Sequence, residues 1–424
     1  MAPHRVLVVD DSAFMRKIIS DLISQDSEFT IVATAVNGAE AVSAAAKYRP
    51  DIITMDLEMP IMNGIEALGL IMRRTPTPII MLSGISEANT RETIKALQYG
   101  AFDFIRKPTS AASGDIRQVG EVLLDKLRAA VSVKKEPPAS ATEIQRPTLP
   151  QKPLAPRIAA EAPTRHERAA APQSPATGSK GRKPPAAAAP AKPAPPRKNT
   201  APSAAPTPSK TARPESDRAA AGANASQSTG KAFHHIVAIG TSTGGPRALH
   251  EVVSSLPADL PSPVLVVQHM PPKFTRSLAQ RLDSFSALRV IEAEDGMKLC
   301  RGTVYIAPGG RHLKLSRHGG DYVVQLSDEP ARNGHRPSVD VMFESIAPYG
   351  ELARHAVIMT GMGSDGAKGM KLLADEGAVT TIAESEETCI VYGMPRSAVE
   401  NGSVQQIVPL HEIASRIVQA VMKA

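Results

Sequence analysis

Ile239-Gly240-Thr241-Ser242-Thr243-Gly244-Gly245-Pro246 joins two regular elements of the carboxyl-terminal part of this chain and shows what kind of domain it is. The apolar residues 235–239 before it read as a buried strand, and 246–255 after it as a helix that admits Pro in its first turn. A glycine-rich turn between strand and helix is the joint of an α/β unit. Working outward, 264–268, 303–307, 356–360 and 379–383 are further apolar strand-length runs. Helical stretches are expected at 275–285, 338–347 and 367–376. Residues 312–315 and 322–326, joined through a Gly-Gly turn, read as a hairpin. Residues 232–424 are therefore expected to form an α/β domain with a mostly parallel sheet.

Residues 1–132 repeat the alternation. Strands are expected at 5–9, 30–35, 51–55, 78–82 and 103–106, with helices at 12–24, 39–47, from about 64, at 87–99 and at 116–131. Five short apolar strands separated by helices imply a five-stranded, doubly wound parallel sheet covered on both faces. The chain has no Trp and few other aromatics, so both cores must be aliphatic.

The middle differs. Residues 133–231 are dominated by Pro, Ala, Ser, Lys and Arg, with no aromatic residue. Such a stretch buries too little apolar surface to offset the entropy of ordering and is expected to be a long disordered linker. As a coil it would span roughly 55 Å. Between positions 134 and 230 there are 16 Lys/Arg and 6 Asp/Glu, so the formal +7 of the whole chain is a property of this segment. The flanking domains carry no basic excess that would suggest nucleic acid. Two distant cysteines, Cys300 and Cys389, make neither a disulfide framework nor a metal-binding spacing. The N-terminus runs straight into a strand and carries no expected signal peptide, and no apolar run approaches the ~20 residues of a membrane helix. The expectation is a cytoplasmic monomer without membrane insertion.

Strand ends carry the chemistry. Asp10 and Asp11 close the first strand, Asp56 the third, Ser83 the fourth and Lys107 the fifth. All fall at the carboxyl edge of a parallel sheet, where α/β active sites form. Three crowded carboxylates repel one another unless a divalent cation lies among them, and an oxygen-only donor set suits Mg²⁺. Asp56 is then placed to act as a carboxylate nucleophile toward a phosphoryl group, with Lys107 and Ser83 holding the phosphoryl oxygens.

In the second domain, Gly240-Thr241-Ser242-Thr243-Gly244 fits G-x-S-x-G. The turn alone suits an exposed nucleophile or a phosphate site equally. Two more strand ends favour the nucleophile: Gln268-His269-Met270-Pro271, and Thr360-Gly361-Met362-Gly363-Ser364-Asp365-Gly366. Ser242 would attack, His269 would take and return the proton, and Asp365 would orient the imidazole. The order Ser, His, Asp is not that of an α/β-hydrolase. The domain's other histidines, His335 among them, share no such setting, and Cys389 has no base beside it.

Val8-Val9-Asp10-Asp11-Ser12, Asp56-Leu57-Glu58-Met59-Pro60, Ser83-Gly84 and Lys107-Pro108 resemble the receiver domain of two-component response regulators. The resemblance implies Asp56 as phosphoacceptor and Mg²⁺ held by Asp10, Asp11, Asp56 and the Glu58 carbonyl. Phe104 matches the aromatic switch position. Residues from about 233 to 422 resemble the catalytic domain of the chemotaxis protein-glutamate methylesterases, on the three segments above and on Tyr305-Ile306-Ala307-Pro308 and Pro337-Ser338-Val339-Asp340. That family hydrolyses glutamate methyl esters on chemoreceptors, releasing methanol, and deamidates receptor glutamines. The resemblance implies backbone N–H groups near Thr243 and Met362 for the oxyanion, a chemotaxis histidine kinase as phosphodonor, chemoreceptors as substrate, and no cofactor for the ester chemistry. It also implies that the unphosphorylated receiver covers the active site. A linker this long is expected to depart from the family, and its charge to favour acidic receptor arrays or membranes. The competing reading is a phosphoacceptor or adaptor whose hydrolase domain serves only for docking. A receiver-linked transcription factor is disfavoured, because no short basic recognition-helix domain follows.

Overall fold

A computed structural model describes residues 2–108, 113–133 and 233–422. Of the linker expected at 133–231, all but Val133, which ends a helix, lies outside the described residues, and with it the expectation about its charge.

The amino-terminal half alternates β1 (His4–Val9), α1 (Ala13–Ser24), β2 (Phe29–Ala35), α2 (Gly38–Tyr48), β3 (Ile52–Asp56), α3 (Gly64–Arg74), β4 (Ile79–Ser83), α4 (Glu87–Gln98), β5 (Asp103–Arg106) and α5 (Ser113–Val133). All four strand pairings are parallel, in the order β2-β1-β3-β4-β5. Both faces of β3 and β4 are buried throughout, which explains their unbroken apolar sequence. Helices α1 to α4 are each opened by a side-chain cap: Ser12, Asn37, Asn63 and Ser86 accept from the backbone three residues on. At α3 the Glu66 side chain returns the bond to Asn63, completing a capping box.

The carboxyl-terminal half begins with β6 (His235–Thr241), α6 (Gly245–Ser254), β7 (Val264–Gln268), α7 (Phe274–Asp283), β8 (Arg289–Glu292) and β9 (Thr303–Ile306). The hairpin β10 (His312–His318) and β11 (Asp321–Ser327) follows, turning through Gly319 and Gly320. Then come α8 (Val339–Ile346), β12 (Ala353–Ile358), α9 (Ala367–Asp375), β13 (Thr380–Glu384), α10 (Met394–Glu400), β14 (Gln406–Val408) and α11 (Leu410–Met422). The main sheet has seven strands in the order β14-β13-β12-β6-β7-β9-β8, and every pairing is parallel. Two short edge strands, β8 and β14, were not expected. Each is three or four residues long and only partly buried, too short for its periodicity to stand out.

Strand order positions the chemistry. The chain leaves β6 toward β7 on one side, and later returns through β12 on the other. That reversal opens a crevice at the carboxyl ends of β12, β6 and β7. Ser242, His269 and the loop bearing Asp365 follow these three neighbouring strands. The described residues of both halves belong to one compact unit. A single aliphatic cluster runs from Ile94, Leu97 and Phe104 of the first half to Phe274 and Leu278 of the second.

Candidate active site

The carboxyl edge of the first sheet gathers the expected acidic set. Donor oxygens of Asp10, Asp11 and Asp56 lie within 4.8 Å of one another. Lys107 Nζ stands 2.8 Å from Asp10 Oδ2 and 2.7 Å from Asp56 Oδ2. Burial pushes the Asp56 carboxyl up to about 6, against the pull of Lys107. Burial also opposes the Lys107 charge, but its bonds to Asp10 and Asp56 outweigh this and hold the ammonium above the usual lysine range. The Glu58 N–H donates to Asp56. Ser83 is fully buried at the end of β4; its hydroxyl bonds the Gly84 carbonyl at 2.9 Å and the Thr93 hydroxyl at 2.6 Å. An oxygen-only cluster with one cation beside it fits a hard divalent ion such as Mg²⁺.

At the second sheet, the turn after β6 is clamped from both sides. Gly244, with φ +82°, opens α6 without a side-chain cap. That left-handed conformation costs a glycine nothing. The Ser242 N–H donates to the Thr360 carbonyl at 3.0 Å, and the Ser242 carbonyl accepts from Gln268 Nε2 at 2.9 Å. The N–H groups of Thr243 and Met362 have no backbone acceptor among the described residues. His269 Nε2 meets Asp365 Oδ2 at 2.8 Å, while His269 Nδ1 is buried without a partner.

Asp365 is held from a third direction. Its oxygens accept from the Ser338 hydroxyl at 2.7 Å, the Val339 N–H at 2.7 Å and the Asp340 N–H at 3.2 Å. These are the free donors at the N-terminus of α8, where an anion is favoured. Burial alone would raise the Asp365 carboxyl, but its bonds to His269, Ser338 and Val339 prevail and hold it well below the usual carboxylate range. It is an anion locked in place before any substrate arrives. Gly366, with φ +93°, then opens α9, again without a side-chain cap.

The chain was compared with known proteins. The CheB methylesterase family profile matches residues 237–417, and the response regulator receiver domain profile matches 6–116. A protein-glutamate methylesterase/protein-glutamine glutaminase of Geobacillus kaustophilus is 42% identical over 421 residues, covering 99% of each chain. One of Halalkalibacterium halodurans is 38% identical over 416 residues, covering 98% of this chain and 97% of its own. The crystal structure of the Thermotoga maritima CheB methylesterase catalytic domain is 45% identical, covers 45% of this chain and all of that one, and superposes with a TM-score of 0.44. This chain belongs to the CheB methylesterase family. The Geobacillus and Halalkalibacterium relatives match it nearly end to end, so its length does not set it apart from them, contrary to the expectation of an unusually long linker.

The methylesterase site holds residues that sequence reasoning missed. His335 was set aside with the other histidines, yet its ring stacks on His269 with centroids 3.8 Å apart and planes 7° apart. Burial first, and His269 second, push the His335 imidazole down to about 4, so the stacked ring is neutral near pH 7. Asp340 Oδ1 accepts from the Gly366 and Gly369 N–H groups at 2.9 and 2.7 Å, tying the Asp365 loop to α8. The visible signal was Pro337-Ser338-Val339-Asp340, a capping Ser before an apolar helix, which was noticed without being given a role. Cys389 is no rival nucleophile: burial pushes its thiol far up.

The receiver sits directly on this CheB-type site. Asp103, at the start of β5, accepts a 2.5 Å bond from the Thr243 hydroxyl, one residue past Ser242. Lys126 of α5 pairs with the same carboxylate. The Phe104 ring packs against Phe274 at 4.6 Å. Between α4 and α7, the Thr90 and Ser277 hydroxyls bond at 2.7 Å and Arg281 Nε donates to Gln98 at 2.8 Å. Apart from Thr243 and Phe104, none of these residues is singled out by the sequence, because contacts across 140 or more positions leave no local pattern. Among the described residues no helix is long and apolar enough to cross a membrane.

Proposed function

We propose that the chain is a phosphorylation-controlled hydrolase that demethylates chemoreceptor glutamate methyl esters and deamidates receptor glutamines. The receiver spans 1–132, the catalytic domain 232–424, and 133–231 tethers them. The observation that carries the reading is the bond of His269 Nε2 to an Asp365 fixed by α8, which leaves Nδ1 as the free lone pair of a residue whose backbone N–H bonds the Thr241 carbonyl, next to Ser242, at 3.1 Å.

The chemistry follows from that tautomer. Asp365 accepts a hydrogen bond from Nε2–H, so Nδ1 is the base. Ser242 Oγ attacks the γ-carbonyl carbon and its proton passes to Nδ1. The Thr243 and Met362 N–H groups stabilise the tetrahedral oxyanion. The C–OCH₃ bond then breaks as Nδ1 returns the proton, releasing methanol and leaving Ser242 as a glutamyl ester. Water repeats the two steps, restoring Ser242 and a glutamate carboxylate. A glutamine side chain passes through the same steps and releases ammonia.

Control lies in the receiver. Asp10, Asp11, Asp56 and the Glu58 carbonyl would hold Mg²⁺, which neutralises the incoming phosphoryl group. A chemotaxis histidine kinase is the phosphodonor and Asp56 the acceptor. Ser83 and Lys107 then engage the phosphoryl oxygens, which draws Lys107 from its present partners. Lys107 follows the strand that carries Phe104 and Asp103, so the change reaches the contacts with Phe274 and Thr243 and loosens the cover.

Methanol release from methylated chemoreceptor membranes, with Mg²⁺ and with or without a small phosphodonor, tests both halves. Release that rises with phosphodonor, loses that rise in Asp56→Asn and vanishes in Ser242→Ala is the expected result. A Ser242→Ala protein that still supports adaptation in cells would instead favour the adaptor reading.

A further inference from the structure

Glu384, the last residue of β13, is fully buried and makes no ion pair among the described residues. A carboxylate in such a place is costly unless it is paired or hydrogen-bonded. Its Oε2 accepts the Thr360 N–H at 2.8 Å. Its other polar neighbours, Thr388 and Cys389, leave Oε1 without a close hydrogen bond.

The place of that one bond in the sheet gives it meaning. The regular pairing of β12 with β13 runs to Ile358 opposite Ala383. Past it, the regular pairing with β12 stops while β13 stays on β14, the Ser385 N–H donating to the Val408 carbonyl at 2.8 Å. A backbone carbonyl of β13 would ordinarily receive the next N–H of β12. The Glu384 side chain receives it instead.

Thr360 is the junction that this bond fixes. Its carbonyl accepts the Ser242 N–H at 3.0 Å, and its hydroxyl donates to the Thr243 carbonyl at 2.9 Å and accepts the Val391 N–H at 3.0 Å. The residues after it lead through Gly361 to Met362. Gln268 holds the Ser242 turn from β7, and Thr360 holds it from β12. Only the second clamp depends on a buried acid.

We infer that Glu384 is a positioning residue for catalysis, which fixes Thr360 and through it both the Ser242 turn and the start of the Met362 loop. This rests on the reading of Ser242 as nucleophile. A displacement of the turn by a fraction of an ångström would leave substrate binding nearly intact and slow the chemical step.

The full chain, treated with phosphodonor, is assayed for methanol release and for hydrolysis of 4-nitrophenyl acetate, with the acetyl-enzyme burst counting competent sites. Glu384→Ala is expected to lower kcat per competent site about 10- to 100-fold on both esters, with KM changed less than about threefold. Glu384→Gln, whose amide oxygen accepts the same N–H, is expected to return kcat to within about fivefold of wild type. Thr360→Val keeps the N–H that Glu384 holds but loses the hydroxyl that clamps the Thr243 carbonyl; it is expected to fall with the alanine variant and tests the link from Thr360 to the Ser242 turn if that variant does not fold. Wild-type kcat in Glu384→Ala or Thr360→Val overturns the inference. So does a glutamine variant as slow as the alanine one. Nitrophenyl acetate hydrolysis without methanol release would sink the receptor substrate and leave this test standing. Failure of wild type on both esters sinks the nucleophile and this inference together.

Discussion

The receiver and the methylesterase domain both place their chemistry at the carboxyl edge of a parallel sheet, and they finish that edge in opposite ways. In the receiver, side chains cap helices α1 to α4, so the helix ends are satisfied. The pocket is then a set of like charges, Asp10, Asp11 and Asp56, steadied by Lys107. In the methylesterase domain, Gly244 and Gly366 open α6 and α9 with no side-chain cap, and the donors at the start of α8 go to Asp365. One edge awaits an added charge; the other has its charge already paired. A switch needs a site that changes state when a ligand arrives, whereas acyl transfer needs donors that are fixed beforehand.

The largest test of this contrast is Ser242→Ala, for which methanol release should fall by at least about 10⁴-fold. The same protein should still accept a phosphoryl group at Asp56. Loss of that phosphorylation would mean the two edges are not separable. Asp365→Asn comes next. It should lower kcat by about 10³- to 10⁴-fold, because the amide no longer fixes the His269 tautomer. A fall of less than tenfold would show that the stacked His335 ring, and not Asp365, orients His269.

Asp103→Ala probes the contact between the edges. Losing a hydrogen bond to a charged group weakens the receiver's seat by about 1.5–3 kcal/mol. Methanol release without phosphodonor should then rise about tenfold. Unchanged basal release would show that the apolar contact of Phe104 with Phe274 suffices to keep the cover closed.

Acid should separate the halves most gently. His335 and His355, both in the methylesterase domain, are pushed down to about 4, first by burial and then by a neighbouring histidine. Unfolded, each would titrate near 6.5. Between those values the unfolded chain binds more protons, so stability is present above 6.5 and is lost as pH falls toward 4. Each pH unit in that window should cost about 1.4 kcal/mol per histidine. Melting followed by calorimetry from pH 7 to 4.5 should show this loss, and His355→Gln should flatten it. A flat profile in the wild-type chain would mean that these rings stay solvated.

Periodicity and strand ends made much legible before any coordinates. The apolar runs of β1, β3, β4, β6 and β7 could be read because strands buried on both faces admit nothing else. Asp10, Asp56, Lys107, Ser242 and His269 could be read because a polar residue ending such a run must lie at the sheet edge, and Asp365 because a glycine-rich loop follows such a run. β8 and β14 could not, being short, half-buried edge strands. Nor could His335, Asp340, Glu384 and Asp103, whose partners lie far along the chain or on another strand.

The sequence by itself therefore determined the two parallel sheets, the residue types at their edges and the family. Those follow from local pattern, in which a side chain's burial is dictated by its neighbours two or four residues away. Packing alone sets which nitrogen of His269 is free, what locks Asp365, what holds Thr360 and where the receiver rests. Each of these depends on groups brought within 3 Å across tens to hundreds of residues, and hydrogen bonding at that range is set by packing rather than by sequence spacing.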